Sequence, residues 1–123
     1  MNSPEQIVPE FPEWPVTWSG TEDDIPYGNG LIEKMRPFII NLIDQGLKVW
    51  TVRKHMNNLW LLGGEIIRSV NTHDDYKIPP AERLRRSVDQ NGGLYCQHLA
   101  TDEEVRSYDA TSRKLSNFLE SKE

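Results

Sequence analysis

The chain of 123 residues contains one cysteine, Cys96, so it can form no internal disulfide, and that usage suits a reducing compartment. It has no apolar run near the roughly 18–20 residues that a membrane span requires. Its opening segment, MNSPEQIVPEFPEWP, lacks a basic start and an apolar stretch, which argues against a secretory signal. Internal repeats and low-complexity tracts are missing too. The expectation is a cytoplasmic protein with no membrane partner. The length fits one domain, since single cores commonly run to roughly 100–200 residues. Such a chain buries about two thirds of its unfolded surface, so it needs no staple.

Basic residues are absent from the first 30 positions, which hold six acids (Glu5, Glu10, Glu13, Glu22, Asp23, Asp24) and a charge of -6. Residues 31–86 carry +4 and residues 87–123 carry -3, so the net charge of -5 hides a mildly basic centre between acidic ends. The densest basic cluster is Arg83, Arg85 and Arg86. With Arg53, Lys54 and Arg68 it forms a candidate surface for nucleic-acid phosphates. The competing reading is a solvated arginine face paired with Asp89, Glu82 or the acidic N-terminal segment.

Five of the eight prolines (Pro4, Pro9, Pro12, Pro15, Pro26) fall in the first 27 residues and forbid a long helix there. Residues 1–28 therefore read as an extended acidic arm, and residues 29–123 as a helical domain. Ile7, Val8, Phe11, Trp14, Val16 and Trp18 are costly to leave in water. The arm is expected to lie across its own domain or across a partner. In the second case Phe11, Trp14 and Trp18 are the partner-binding residues, and a swap into a second copy would give a homodimer.

Beyond Gly30 the pattern is helical. Leu31, Ile32, Met35, Phe38, Ile39, Leu42 and Ile43 are interrupted by Pro37, which predicts either a short turn followed by a helix or one kinked helix, ending at Gly46. Over Lys48–Asn71, the residues Val49, Val52, Met56, Leu59, Gly63, Ile66 and Val70 alternate spacings of three and four. They form one continuous stripe, widened by Trp60 and Ile67, with Lys54, Asn58, Glu65 and Arg68 opposite. Thr72–Pro80 reads as a loop, and Ala81–Gln90 as a short helix closed by Asn91-Gly92-Gly93. Leu94–Leu99 is a short extended run without a partner strand. Thr101 and Glu104 make a capping box for a last helix carrying Val105, Tyr108, Ser112, Leu115 and Leu119; the small Ser112 suits a bulky residue of the central helix. The fold class is all-α: a compact bundle of three to four helices with a Pro/Trp-rich arm.

Candidate chemistry is sparse. Gly63-Gly64-Glu65 lies about fifteen residues inside a helix, where the amides are already bonded, so it is no phosphate-binding loop. The triplet resembles the signature of diguanylate cyclases, but that domain is α/β and larger than this chain, and Ile66 stands where a Phe belongs. Close packing against a neighbouring helix or the arm's tryptophans explains the glycines better; a kink is the other structural option. Cys96 with His98, and His73 with Asp74 and Asp75, lack zinc-site spacing. His55 is expected to be half-buried and bonded to a carbonyl. No catalytic residue, metal or cofactor is assigned, and only an apolar pocket lined by His55, Glu65 and Arg68 would point to an enzyme.

At residues 40–67, IINLIDQGLKVWTVRKHMNNLWLLGGEI, the chain resembles the start of the SAM-like core-binding domain of phage integrases and other tyrosine recombinases, through Gly46, Thr51, Val52, Leu59 and Trp60. The recombinase Arg, His and Tyr constellation is absent, so no such activity is implied. Arg36–Ile39, Thr51–Arg68 and Tyr108–Leu119 are also similar to a family of small uncharacterised bacterial helical proteins, which implies one compact fold across residues 30–120. A helix-turn-helix over residues 38–60 is disfavoured, because Asn41 and Gln45 fall at core positions. The expected function is a non-enzymatic accessory protein associated with DNA or a mobile element. The alternative is a protein-interaction module acting through its arm.

Overall fold

A computed structural model of the chain describes residues 2–121; residue 1 of the expected arm and residues 122 and 123 of the expected helical domain lie outside the described residues. In chain order the elements are α1 (Pro4–Ile7), a 3-10 turn (Phe11–Glu13), α2 (Trp14–Trp18), α3 (Asp24–Asp44), α4 (Val49–His73), α5 (Pro80–Arg86), β1 (Val88–Asp89), β2 (Gly92–Gly93) and α6 (Asp102–Ser121). The fold is all-α and compact, with more helices than the three to four expected, because the arm adds its own. α3 packs on α2, α4 and α5, while α6 packs on α4 and the small β ribbon.

The first correction concerns the arm, which is not extended. Ser3 caps α1 reciprocally with Gln6, its hydroxyl accepting from the Gln6 amide at 3.2 Å while the Gln6 side chain accepts from the Ser3 amide at 2.7 Å. Pro4, Pro12 and Pro15 each stand in the first turn of a short helix, where a missing amide hydrogen costs nothing. The prolines thus start helices instead of preventing them. Nor is the arm a separate unit, since Ile7, Val8, Phe11 and Trp14 belong to the one hydrophobic core. Phe11 is fully buried, edge-on to Trp14 at 4.7 Å between centroids, and the Arg36 guanidinium lies over its ring. Arg36 also pairs with Glu5 at 2.8 Å. The expected boundary near residue 28 disappears, because α3 begins at Asp24.

α3 runs unbroken through Pro37. Pro37 and Glu33, whose carbonyl loses its amide partner, are both exposed, so water can satisfy that carbonyl. Asp24 is buried in the first turn of α3. Its carboxylate accepts from the Gly20 and Thr21 amides at 2.8 and 3.1 Å, from Asn71 Nδ2 at 3.2 Å and from the Tyr76 hydroxyl at 2.7 Å. This one side chain ties the end of the arm, α3, the end of α4 and the following loop together.

α4 buries its expected stripe from Val52 to Val70. Val49 is the exception, exposed with Lys48 and Trp50 in a first turn that projects beyond the core. Asn58, expected on the outer face, is buried against α6, where its amide donates to Thr111 Oγ1 at 2.8 Å and to the Ser107 carbonyl at 3.1 Å. The capping box of α6 forms as expected, the Glu104 amide donating to Thr101 Oγ1 at 3.1 Å and the Glu104 carboxylate accepting from the Thr101 amide at 3.0 Å. Ser112 packs closely on Gly93 of the ribbon. α5 stops at Arg86, short of the expected Gln90. Gln90-Asn91 forms the loop of a two-residue antiparallel ribbon in which Val88 pairs with Gly93 and Asp89 with Gly92, the latter glycine taking a φ of 130°.

The two glycines of α4 differ. A Cβ on Gly63 would fall within the Trp18 ring, against Cζ2 and Cη2, so only glycine lets the indole sit on the helix backbone. A Cβ on Gly64 would meet Trp18 only at 3.4 and 3.7 Å, an ordinary contact. Two hydrogen bonds lock the seat: Trp18 Nε1 donates to the Trp60 carbonyl at 2.9 Å, and Trp60 Nε1 donates to Thr17 Oγ1 at 3.0 Å. Gly63→Ala should therefore destabilise the fold by about 1–3 kcal/mol through overpacking. Gly64→Ala should be neutral or stabilise by up to about 1 kcal/mol through helix propensity. Urea denaturation of the two variants decides, and equal losses would remove the distinction.

Candidate nucleic-acid interface

The six basic residues singled out by sequence divide into two groups. Arg53, Lys54 and Arg68 lie on α4, all exposed; Arg83, Arg85 and Arg86 lie on α5. Arg83 is turned inward, donating to Ser69 Oγ at 2.6 Å and pairing with Asp75 at 3.5 Å. Arg86 pairs with Glu82 at 2.9 Å, one turn away. Arg85 lines an apolar hollow with Leu84, Pro37 and Phe118. Arg68 pairs with Glu65 at 3.1 Å, and Arg53 Nε reaches the Ile7 carbonyl at 3.4 Å. Arg68, Arg83 and Arg86 are thus engaged by acids of the same chain. Arg53 and Arg68 stand fifteen residues apart on one helix, roughly 22 Å along its axis.

What gathers on the outer face of α4 is a different set. Trp50, Arg53, Asn57, Trp60, Gly64 and Arg68 follow one another at spacings of three or four, which places them along one side of the helix. Trp50 is 64% exposed and Trp60 40% exposed. The Lys48 ammonium lies over the Trp50 ring, 5.9 Å from its centroid. Two indoles therefore alternate with two guanidiniums over eighteen residues of helix, roughly 27 Å, and this stripe contains no acid. The arm fixes the stripe from one side: Thr17 and Trp18 hold Trp60, and the Ile7 carbonyl holds Arg53.

This arrangement changes the role of the arm. Phe11 and Trp14 are buried in their own core, out of reach of a partner in this fold, while Trp18 is half-buried on Gly63 and keeps part of its ring at the surface. Trp60 is also corrected, from a flank of the buried stripe to the exposed face. Counting from Arg53 would have found it, since positions seven residues apart share a helix face. Trp50 carried the same signal, three residues before Arg53.

Among the remaining candidate groups, Glu65 lies beside Cys96 and His98. His55 faces α6, not a carbonyl, with Nδ1 2.7 Å from the Thr111 hydroxyl. Burial lowers its pKa, and the Lys114 and Lys54 charges lower it further. Glu65 and Arg68 line a hollow with His98 and without His55. Burial pushes the Cys96 thiol up, and the nearby Glu65 carboxylate adds to the effect, so it is a poor nucleophile. Among the described residues, no group of three or more His, Cys, Asp or Glu side chains could hold a metal ion, and no helix is long and apolar enough to cross a membrane.

No protein-family model matches the chain, and no curated protein or solved structure matches it.

Two of the perturbed groups, His55 and Asp24, are buried and shape the pH profile of stability. His55 has a lowered folded pKa, so the unfolded chain binds its proton more readily, and stability should fall as pH drops below the unfolded value of about 6.5. For Asp24, burial would raise the pKa, but hydrogen bonds from Tyr76, Gly20, Asn71 and Thr21 outweigh it and hold the carboxyl below its ordinary range. Its contribution is present above about pH 4 and is lost as pH falls through the folded value. Melting temperatures from pH 8 to pH 3 should show both losses. His55→Gln should flatten the upper one alone, and an unchanged upper limb would exclude His55 as its source.

Proposed function

We propose that the chain is a non-enzymatic, nucleic-acid-associated accessory protein whose contact surface is the outer face of α4, and that it favours single strands. The observation that carries this reading is the alternation of exposed indoles with basic side chains along the helix. Bases stack on aromatic rings irrespective of sequence, at about 1–3 kcal/mol each, while guanidinium and ammonium groups follow the phosphates. The net charge of -5 argues in the same direction. An acidic protein gains little from long-range attraction, and screening at physiological salt confines charge effects to about 8 Å. Affinity must then come from local contact, and stacking supplies it where phosphate neutralisation alone would not. An unstacked strand can present bases to Trp50 and Trp60, whereas a duplex keeps them paired. The association with a mobile element rests on the integrase resemblance of residues 40–67 alone.

A second reading, a protein-interaction module, is favoured by the apolar residues exposed where α3 meets α4, namely Ile40, Val49 and Trp50. It no longer runs through the arm, and it predicts concentration-dependent self-association or capture of another protein at that end.

Fluorescence anisotropy with a labelled oligothymidylate separates the two. Single-strand binding should be measurable at low salt and weaken with salt. Trp50→Ala should reduce affinity by roughly 1–3 kcal/mol, and Arg53→Gln should lower the salt slope by about 1. Absence of single-strand binding at low salt, or full affinity in Trp50→Ala, would remove the proposal. Loss of self-association in Trp50→Ala, without any strand binding, would favour the second reading.

A further inference from the structure

Gly64 is not explained by the fold. Gly63 must be glycine because Trp18 occupies the place of its side chain, but a methyl on Gly64 would find ordinary contact distances and would improve helix propensity. The space beside Gly64 is where two hollows meet. One, of about 180 Å³, is bounded by Trp18, Trp60, Glu65 and His98; the other, of about 250 Å³, by Trp18, Asn71 and Thr72. Gly64 and Arg68 line both.

The geometry points to a nucleotide site at this junction, taking a flat heteroaromatic ring joined to a phosphate. The first hollow offers indole surface for the ring, and the Glu65 carboxylate, which Arg68 and Cys96 already engage, has a remaining lone pair for a ring N–H or an exocyclic amine. Arg68 stands at the seam and uses its Nη2 on Glu65; it lines the second hollow together with Thr72, so its remaining guanidinium donors and a hydroxyl border a space that suits a phosphate. Asp24 also lines the second hollow and opposes an anion, but its oxygens are engaged by Gly20, Thr21, Asn71 and Tyr76. Gly64 leaves the junction open, and a side chain there would partly fill it. The site rests on the reading of α4 as a nucleic-acid face, and it assigns the Trp60–Arg68 end to one nucleotide, free or within a strand.

The test is isothermal titration calorimetry of the full chain with adenosine and uridine 5′-monophosphates, adenosine, inorganic phosphate and oligothymidylate. A mononucleotide should bind at least tenfold more tightly than adenosine or phosphate alone. Gly64→Ala, with its melting temperature retained or raised, should lose at least tenfold, and so should Arg68→Gln, which keeps the test valid should Gly64→Ala fold poorly. If only the oligonucleotide responds to Gly64→Ala, the site stands and its nucleotide comes from a strand. Trp50→Ala should weaken oligonucleotide binding and leave mononucleotide binding intact, so failure of the strand reading and failure of this site are separate results. Binding of every probe unchanged in both Gly64→Ala and Arg68→Gln would overturn the assignment, as would a mononucleotide no tighter than phosphate together with oligonucleotide binding that is indifferent to Gly64→Ala.

Discussion

The contact on which the rest of the structure depends is the seat of Trp18 on Gly63. It joins a segment eighteen residues from the N-terminus to the middle of the longest helix, and it requires an indole and a missing side chain at the same point. The hydrogen bonds around it are reciprocal, since each indole N–H finds an oxygen supplied by the other element. A half-buried tryptophan without such a partner would carry an unsatisfied donor, a cost of about 1–3 kcal/mol. With both donors satisfied, the arm becomes a wall of the bundle, and the outer face of α4 inherits its shape from that wall.

The sequence made the long elements legible where two independent signals agreed. α4 combined a sustained apolar stripe with its length, and α6 combined a stripe with the Thr101–Glu104 box. The role of Gly63 was legible as well, because mid-helix glycines are costly and the arm held spare tryptophans. The arm's conformation was misread because proline was treated as a helix breaker, while Ser3-Pro4-Glu5-Gln6 carried a capping signature that marks a start. Asn91-Gly92-Gly93 reads as a helix stop, but α5 has ended by Ser87 and the glycines pair with residues 88 and 89 instead. The outer face of α4 was harder. Polar residues on a helix read as solvent-facing, but Asn58 finds Thr111 and Ser107 on α6, so burial does not leave it unpaired. No pattern within α4 announces a partner fifty residues later. The same limit applied to the arginines: their clustering in sequence could not show that Arg83 would be spent on Ser69 and Asp75.

The distribution of charge now has a spatial account. The acidic arm does not cover the basic centre by attraction; it attaches through buried aromatic and aliphatic side chains, and of its acids Glu5 is tied to Arg36. Hydrophobic burial decides where the arm lies, and the charges follow. That leaves the α4 stripe basic and aromatic in a protein whose total charge is negative. The proposed contacts with nucleic acid are therefore short-range ones, and discrimination would come from the shape of the face more than from the field around it.

The order in which the chain leaves the ribosome gives the Trp18 seat one more consequence. Phe11, Trp14 and Trp18 emerge first, yet their resting places on α3 and α4 are made of residues synthesised later, Gly63 among them. At roughly 5–20 residues per second, the arm waits for seconds with its aromatics uncovered. Helices of four and five residues do not persist alone, but local turns can form transiently in that interval, since the Ser3 cap and the prolines are local. Closure cannot. The aromatic segment is thus made well before its shelter, and a nascent chain halted before residue 63 would present Trp18 without the glycine seat that receives it.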